Sequence, residues 1–385
     1  MNDMPLHAAA PAERIKVCHF SSVHPANDIR VYYKECVSLA QHGFDTTLVA
    51  VDAPVPAGRV RVVGLSAKGG RLKRMIGRAW RAYRAALSQR AQIYHFHDPE
   101  LLPYGLLLKW QTGARVVYDS HENYIEDIQS KVWLKPAIRP LVARAFGLFE
   151  SMIVRRLDLV VAATPHIAER FEPVARRVAT INNFPDKAEF AYLAQPSPSE
   201  LRDGVCYIGA ITFARGIAQM LDALDHVDPA IRFDLAGRFA NAEVEQFARN
   251  HRNWPRVTFH GQIDRRQIAD IFSRSFAGLV TLRAVPNHIY AQPIKLFEYM
   301  SAGIPAIASD FPMWRRIVVD EACGICVDPE DPAAIAKAIN SLAVDHRLAE
   351  TLGAKGRRLV DERYNWTKEG EKLASAYGDI LPVRV

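Results

Sequence analysis

Two series of short runs, apolar on both faces and separated by helix-length segments, constrain this chain more than any other feature. A strand with one wet face alternates apolar and polar residues, whereas a strand covered on both sides reads apolar throughout. Ile15 to Phe20, Thr46 to Val51, Val60 to Leu65, Gln92 to Phe96, Arg115 to Tyr118 and Asp158 to Ala163 are of the second kind. Helix-length segments such as Val31 to His42 lie between several of them. The pattern pauses at Ile181-Asn-Asn-Phe-Pro-Asp186 and at the Pro/Ser stretch Gln195 to Ser199. It restarts with Val205 to Ile208, Ile231 to Ala236, Val257 to Phe259, Gly278 to Thr281, Pro305 to Ala308 and Ile325 to Val327. Tandem βαβ units joined near residue 185 are the economical α/β topology, and 385 residues suffice for two cores. A cleft between the two domains would then be the place for a ligand.

The most specific stretch runs from Pro293 to Asp310. It reads as a short helix opened by proline, carrying Glu298 on its inner turn, stopped by Gly303 and followed by a buried strand. A helix N-terminus aimed into the crevice of a parallel sheet favours an anion, and an acid beside it can hold sugar hydroxyls. Amides around Ile294, Lys295 and Leu296 suit a diphosphate, and the Lys295 ammonium can reach a phosphate.

The remaining features narrow the class. Met1 to Arg14 is rich in Ala and Pro without a basic segment leading into an apolar run, so it reads as a disordered lead-in. No run approaches the roughly 20 apolar residues of a membrane span. The five cysteines are scattered in apolar patterns, which suits a reducing cytosol, and Cys323-Gly-Ile-Cys326 lacks the second pair or nearby histidine of a metal knuckle.

The net charge of +7 is concentrated locally. Arg71 to Leu87 is helical in period, with a basic face that includes Arg78, Arg81 and Arg84 and with Met75, Ile76, Trp80 and Tyr83 for the other face. Trp133 to Arg156 mixes Leu, Ile, Phe and Met with Arg139, Arg144, Arg155 and Arg156. Such helices either cover a core or lie on an anionic membrane. Without aromatic interleaving or a recognisable module, the basic residues do not point to nucleic acid.

Taken together, Pro293 to Asp310, Tyr207-Ile-Gly209-Ala-Ile-Thr-Phe-Ala-Arg215-Gly216 and Tyr118-Asp-Ser-His121-Glu122 resemble the motifs of retaining glycosyltransferases of the GT-B fold, close to glycosyltransferase family 4 and its bacterial polysaccharide-building members. The resemblance covers about residue 15 to 380. It implies two Rossmann-like domains facing across a central cleft: 15–185 for the acceptor, 186–363 for the nucleotide-sugar donor, and a C-terminal helix, 364–385, returning to the first domain. It implies a hexosyltransferase-type enzyme (EC 2.4), independent of metal and of any cofactor beyond its nucleotide-sugar co-substrate.

By resemblance Glu298 would bind the donor ribose, Arg215 would neutralise the diphosphate, and His121 would face the donor sugar near its hydroxymethyl group. Gly209 and Arg238 lie in turns after strands where the fold meets the nucleotide.

Two departures are plain. The family's first phosphate cation is replaced by Ala210, and its paired acid eight residues before Glu298 is Tyr290. Sugar recognition would then fall to Asn287, His288 or Tyr290. Asp28, Arg30, His97, Asp98 and Glu122 are the candidates for acceptor binding, Asp28 and Arg30 being equally readable as a loop-closing ion pair. Tyr94-His95-Phe96-His97-Asp98 looks like a metal cluster but shows no third ligand at a helical or turn spacing, so no metal is expected. The expected activity is sugar transfer to a saccharide, lipid-linked by the lean of the basic helices, in the cytoplasm or on the inner face of its membrane. A catalytically silent sugar-nucleotide-binding partner and a nucleotide-sugar 2-epimerase are the alternatives.

Overall fold

The computed structural model describes residues 14–55, 57–66, 71–131, 134–186 and 202–382, with the side chains of 71–76, 130, 286 and 287 left aside. The lead-in, the Pro/Ser stretch and Trp133 therefore lie outside the described residues, as do the side chains of Met75, Ile76 and Asn287.

The chain divides into two compact units. The first comprises residues 1–125, 132–181 and 370–385, the second 126–131 and 182–369. The first unit holds a seven-stranded parallel sheet: β1 (Lys16–Pro25), β2 (Asp45–Val51), β3 (Arg61–Leu65), β4 (Ile93–Phe96), β5 (Arg115–Ser120), β6 (Leu159–Ala162) and β7 (Val178–Thr180). Their order is β3-β2-β1-β4-β5-β6-β7. The strand order reverses between β1 and β4, where an open α/β sheet takes its ligands.

On one face, Cys18, Phe20, Tyr94, Phe96, Val116 and Tyr118 build the core under the helices. Phe96 packs so closely on the helix Leu102–Thr112 that a Cβ at Gly105 would run into its ring. The opposite face carries His19, His95 and Asp119, all fully buried.

Two elements cover that polar face. The segment Ile29–Cys36 is a π-helix, wider than an α-helix, and it brings Arg30 and Glu35 to the same side, their Nε and Oε1 3.0 Å apart. The last helix, Trp366–Ile380, contributes Tyr377, which is buried against Phe44, His19 and His95.

The second unit holds β8 (Gly204–Ile208), β9 (Arg232–Ala236), β10 (Val257–Gly261), β11 (Ser275–Val280), β12 (Ala306–Ser309) and β13 (Gly324–Val327), all parallel in the order β10-β9-β8-β11-β12-β13. Its reversal falls between β8 and β11. Helix Ile294–Ser301 buries Leu296, Phe297, Tyr299 and Met300 and ends at Gly303, whose φ of 68° suits a glycine. Tyr299 lies flat on β11 where Gly278 has no side chain, and its hydroxyl accepts from the Ile208 amide at 3.3 Å. This contact ties the helix to the end of β8.

Candidate functional site

In the second unit, the turn after β8 and the start of helix Ile294–Ser301 converge. Gly209 has φ 141°, and a Cβ built on it would stand 2.9 Å from the Lys295 Nζ and 3.6 Å from an Arg215 Nη1. Gly237 has the same φ and lies against the Gly209 backbone, so any side chain there would collide with the Gly209 carbonyl. These two glycines clear a surface lined by backbone and by two cations.

Lys295 is buried, 7% exposed, and its Nζ sits 3.9 Å over the Tyr207 ring with no hydrogen-bond partner. Burial, reinforced by the Arg215 charge, pushes its pKa down to about 7, against the pull of Glu298. An ammonium held so has a site prepared for an anion, and no side chain among the described residues hydrogen-bonds it. Arg215 is set by a local device: Thr212 Oγ1 accepts from the Arg215 amide at 3.0 Å, and Gly216, φ 82°, turns the chain into the next helix.

The other donor candidates fall around this point. Glu298 is half-buried on the same helix, and its charge is felt at Lys295. Ile294 is exposed at the first turn, whereas the Leu296 side chain is buried and its amide donates to the Pro293 carbonyl. The Leu296 amide is thus committed within the turn, a correction to its expected role as a phosphate donor. Tyr290 is exposed at the end of the short helix Pro286–Ile289, and His288 bonds the Arg283 carbonyl through Nδ1. Arg238 is exposed after β9, its carbonyl taken by the Ile211 amide.

In the first unit the polar groups gather at the carboxyl ends of β1, β4 and β5. Asp98 is buried and accepts from Ser21 Oγ at 2.7 Å and from the Ser22 amide at 2.6 Å. Ser22 Oγ also reaches Glu100 at 2.8 Å. His121 is partly exposed, its Nε2 3.0 Å from Asp119 Oδ2, and the His24 ring lies 5.0 Å from it between Asp28 and Asp98. Glu122 is exposed, and its carbonyl takes the Ser120 hydroxyl.

Three expectations change. Arg30 is not at hand for an acceptor: it is buried, bonded to the Ile181 carbonyl and to Asp119, and ion-paired with Glu35. Asp28 is not its ion-pair partner either. Its carboxylate caps the π-helix by accepting from the amides of Arg30 and Val31, and binds His24 at 3.1 Å. His97, expected to line a cleft, is fully buried among His19, His95, His121 and Asp119. Nor is a third ligand-type group lacking. His19, Glu35, His95 and His97 offer atoms within 4.8 Å of one another, as do His97, Asp119 and His121.

Arg78 also leaves its expected solvated face, being buried with Nη1 3.1 Å from the Ser22 carbonyl. Cys323 donates to the Ile317 carbonyl, and both it and Cys326 are free thiols.

Residues 30–183 match the family model of the glycosyl transferase 4-like domain, and residues 194–359 match that of glycosyl transferases group 1. The glycogen synthase of Mycobacterium tuberculosis is 23% identical over 302 residues, 75% of this chain and 69% of that one. A sucrose-phosphate synthase from Thermosynechococcus elongatus superposes with TM-score 0.75 at 20% identity, over 96% of this chain and 99% of the other. Anabaena Alr3699/HepE, solved with UDP-glucose, superposes with TM-score 0.70 at 15% identity, over 95% and 100%. With both halves matched in order, the chain is a glycosyltransferase of the GT-B fold. Within that class it resembles family 4.

Proposed function

We propose that this glycosyltransferase binds a nucleoside-diphosphate sugar on the second unit and transfers the sugar, with the retention implied by its family resemblance, to a saccharide acceptor held on the first. The observation that carries the reading is the buried, unpartnered Lys295 ammonium beside Arg215 at the Gly209 turn. A departing diphosphate gathers negative charge in the transition state, and cations beside it or helix-start amides stabilise that charge. Ala210 cannot supply the cation that relatives place there, and Lys295 supplies it from the neighbouring helix. In this reading Arg215 and Lys295 take the place that a metal ion would have at the diphosphate. Glu298 holds the ribose, and His121, Asp98 and Glu122 address the sugars on the first unit.

The acceptor is lipid-linked, and the protein works on the cytoplasmic face of a membrane to build a polysaccharide. What supports this is the helix Arg139–Val154, on which Leu141, Leu148 and Met152 are 70%, 68% and 53% exposed in one stripe, with Arg144, Arg155 and Arg156 exposed around it. No helix among the described residues is long and apolar enough to cross a membrane.

The test is calorimetric titration with UDP, GDP, ADP and TDP and their glucose or mannose conjugates, with and without magnesium, on the native protein and on Arg215→Ala and Lys295→Met. Selective binding that needs no metal and is lost in both variants is the expected result. Binding unchanged in both would remove the site assignment, and an isomerised donor sugar without any acceptor would replace transfer by epimerisation.

A further inference from the structure

The first unit contains a group of side chains that sugar binding as such does not require: three fully buried imidazoles and a buried phenol at the centre of the sheet. His19 of β1, His95 of β4 and His97 just beyond it lie beside Asp119 of β5, and Tyr377 of the last helix closes the group from above. Their nitrogens and oxygens form a continuous series. Tyr377 Oη lies 2.5 Å from His95 Nδ1 and 3.1 Å from His19 Nε2. His19 Nδ1 lies 3.0 Å from His97 Nε2, and His97 Nδ1 lies 3.3 Å from Asp119 Oδ2. The same Asp119 oxygen is 3.0 Å from His121 Nε2.

A shared metal ion is the first explanation to weigh. The ring directions argue against it. His95 and His97 are stacked, with centroids 4.6 Å apart and planes 19° apart, so their in-plane lone pairs run side by side rather than toward one point. His19 and His97 aim a nitrogen at each other, the geometry of a hydrogen bond. The Arg30 guanidinium also stands 3.0 Å from Glu35 and 3.2 Å from Asp119, where it opposes a second cation.

Proton counting with distance then assigns a direction to the series, in which one contact competes: His97 Nδ1 also lies 3.2 Å from His121 Nε2. Burial, with the neighbouring imidazoles, holds His19 well below its usual pKa; burial does the same to His97 and lowers His95, so each ring carries one proton. Asp119, which burial alone would protonate, is held ionised chiefly by Arg30 and then by His121. A carboxylate can only accept. Asp119 Oδ2 stands 3.3 Å from His97 Nδ1 and 3.7 Å from His95 Nε2, so the series is anchored at His97, which donates from Nδ1 and leaves its Nε2 to accept from His19 Nδ1–H. His19 Nε2 then accepts from the Tyr377 hydroxyl, and Tyr377 accepts from His95 Nδ1–H. Four protons fill four contacts, and the nitrogen left over is His95 Nε2, which has no hydrogen-bond partner and stands 3.7 Å from Asp119 Oδ2; the reverse arrangement, with His95 Nε2–H facing Asp119 and His121 Nε2–H donating to His97, is the one the experiment must exclude.

We propose that Asp119 sets the polarity of this chain and is the positioning residue that holds His121 as the Nε2–H tautomer, with His97, His19 and Tyr377 aligned behind the same carboxylate. The His121 Nδ1 is thereby the acceptor of the ring, selecting a sugar that offers it a hydroxyl proton over one that offers a carboxylate. The selection rests on the proposed role of His121 in sugar transfer, whereas the tautomers do not.

The experiment reads tautomers directly and requires no turnover. Protein labelled with 15N-histidine, assigned by single His→Gln variants, is examined by long-range proton–nitrogen correlation above neutral pH. The expected spectrum has His19, His95 and His97 protonated at Nδ1 and His121 at Nε2, each in a single form. Asp119→Asn should convert His97 and His121 to mixtures. If that variant does not fold, Tyr377→Phe should release His19 and His95 while His97 stays fixed. His97 protonated at Nε2 in the native protein, or released by Tyr377→Phe, would overturn the proposal. So would one equivalent of zinc bound tightly with all four resonances shifted. With the tautomers as expected, equal turnover of glucosyl and glucuronosyl donors would refute the selection alone, and failure of every donor would strike the transferase reading while leaving the chain intact.

Discussion

Raising the pH should weaken the grip on a nucleotide sugar by an amount that Lys295 sets. In the free protein its pKa lies at about 7, because burial and Arg215 disfavour the charge. A bound diphosphate favours that charge and lifts the pKa, so binding takes up a proton wherever the free lysine is neutral. The sign follows: affinity is flat below pH 7 and falls as the pH rises through and above it. At about pH 8.5 only about 3% of the free sites carry the charge, which costs about 2 kcal/mol, or roughly thirtyfold in Kd, while the lysine in the complex stays protonated. A nucleotide sugar is the right probe, since its diphosphate is esterified at both ends and does not titrate in this range. Isothermal titration in two buffers of different ionisation enthalpy gives both Kd and the protons taken up. Uptake should rise from near zero at about pH 6 toward one at about pH 8.5. Lys295→Met should bind weakly at both pH values, without uptake. A native affinity that does not change over this range, or the same uptake in Lys295→Met, would refute the reasoning.

Other outcomes follow from single contacts. Gly237→Ala drives a methyl into the Gly209 carbonyl and should cost about 1–3 kcal/mol of stability together with donor affinity, seen in thermal melts and titration; an unchanged melt would show that the turn can open. Arg30→Met leaves Glu35 and Asp119 buried without their cation, and a loss of about 3–5 kcal/mol in urea unfolding is expected. Combined Leu141→Ser, Leu148→Ser and Met152→Ser should lower cosedimentation with anionic liposomes several-fold at unchanged stability. Arg78→Gln should instead lower stability and leave liposome binding alone, since Arg78 is buried on the Ser22 carbonyl.

The two sheets were legible because their strands are apolar on both faces, and every run read in the sequence corresponds to a strand. The short β7, Val178–Thr180, was not, because three half-buried residues at a sheet edge carry no such pattern. The Pro293 helix was legible from its opening proline, apolar flank and closing glycine. The direction of Arg30 and Arg78 was hidden, since whether a long basic side chain turns inward depends on a partner far away in sequence.

The buried histidine chain did leave a trace. His19-x-Ser21, His95-x-His97 and Asp119-x-His121 each place polar residues two apart at the end of an otherwise apolar strand, and adjacent parallel strands set such pairs side by side. No single motif carries this pairing, and Tyr377, on a helix at the far end of the chain, leaves no mark in it at all.

The π-helix makes the spacing between Asp28 and Cys36 a matter of count rather than of composition. Removing one residue from Ile29–Cys36 would let the segment relax to an ordinary α-helix, and Arg30 and Glu35 could then no longer share a face. A side chain there can be exchanged for one of like charge and size, but the number of residues cannot change without parting the cation from the two acids it joins. Homologues that keep the histidines should therefore keep the length of this segment even where its letters drift.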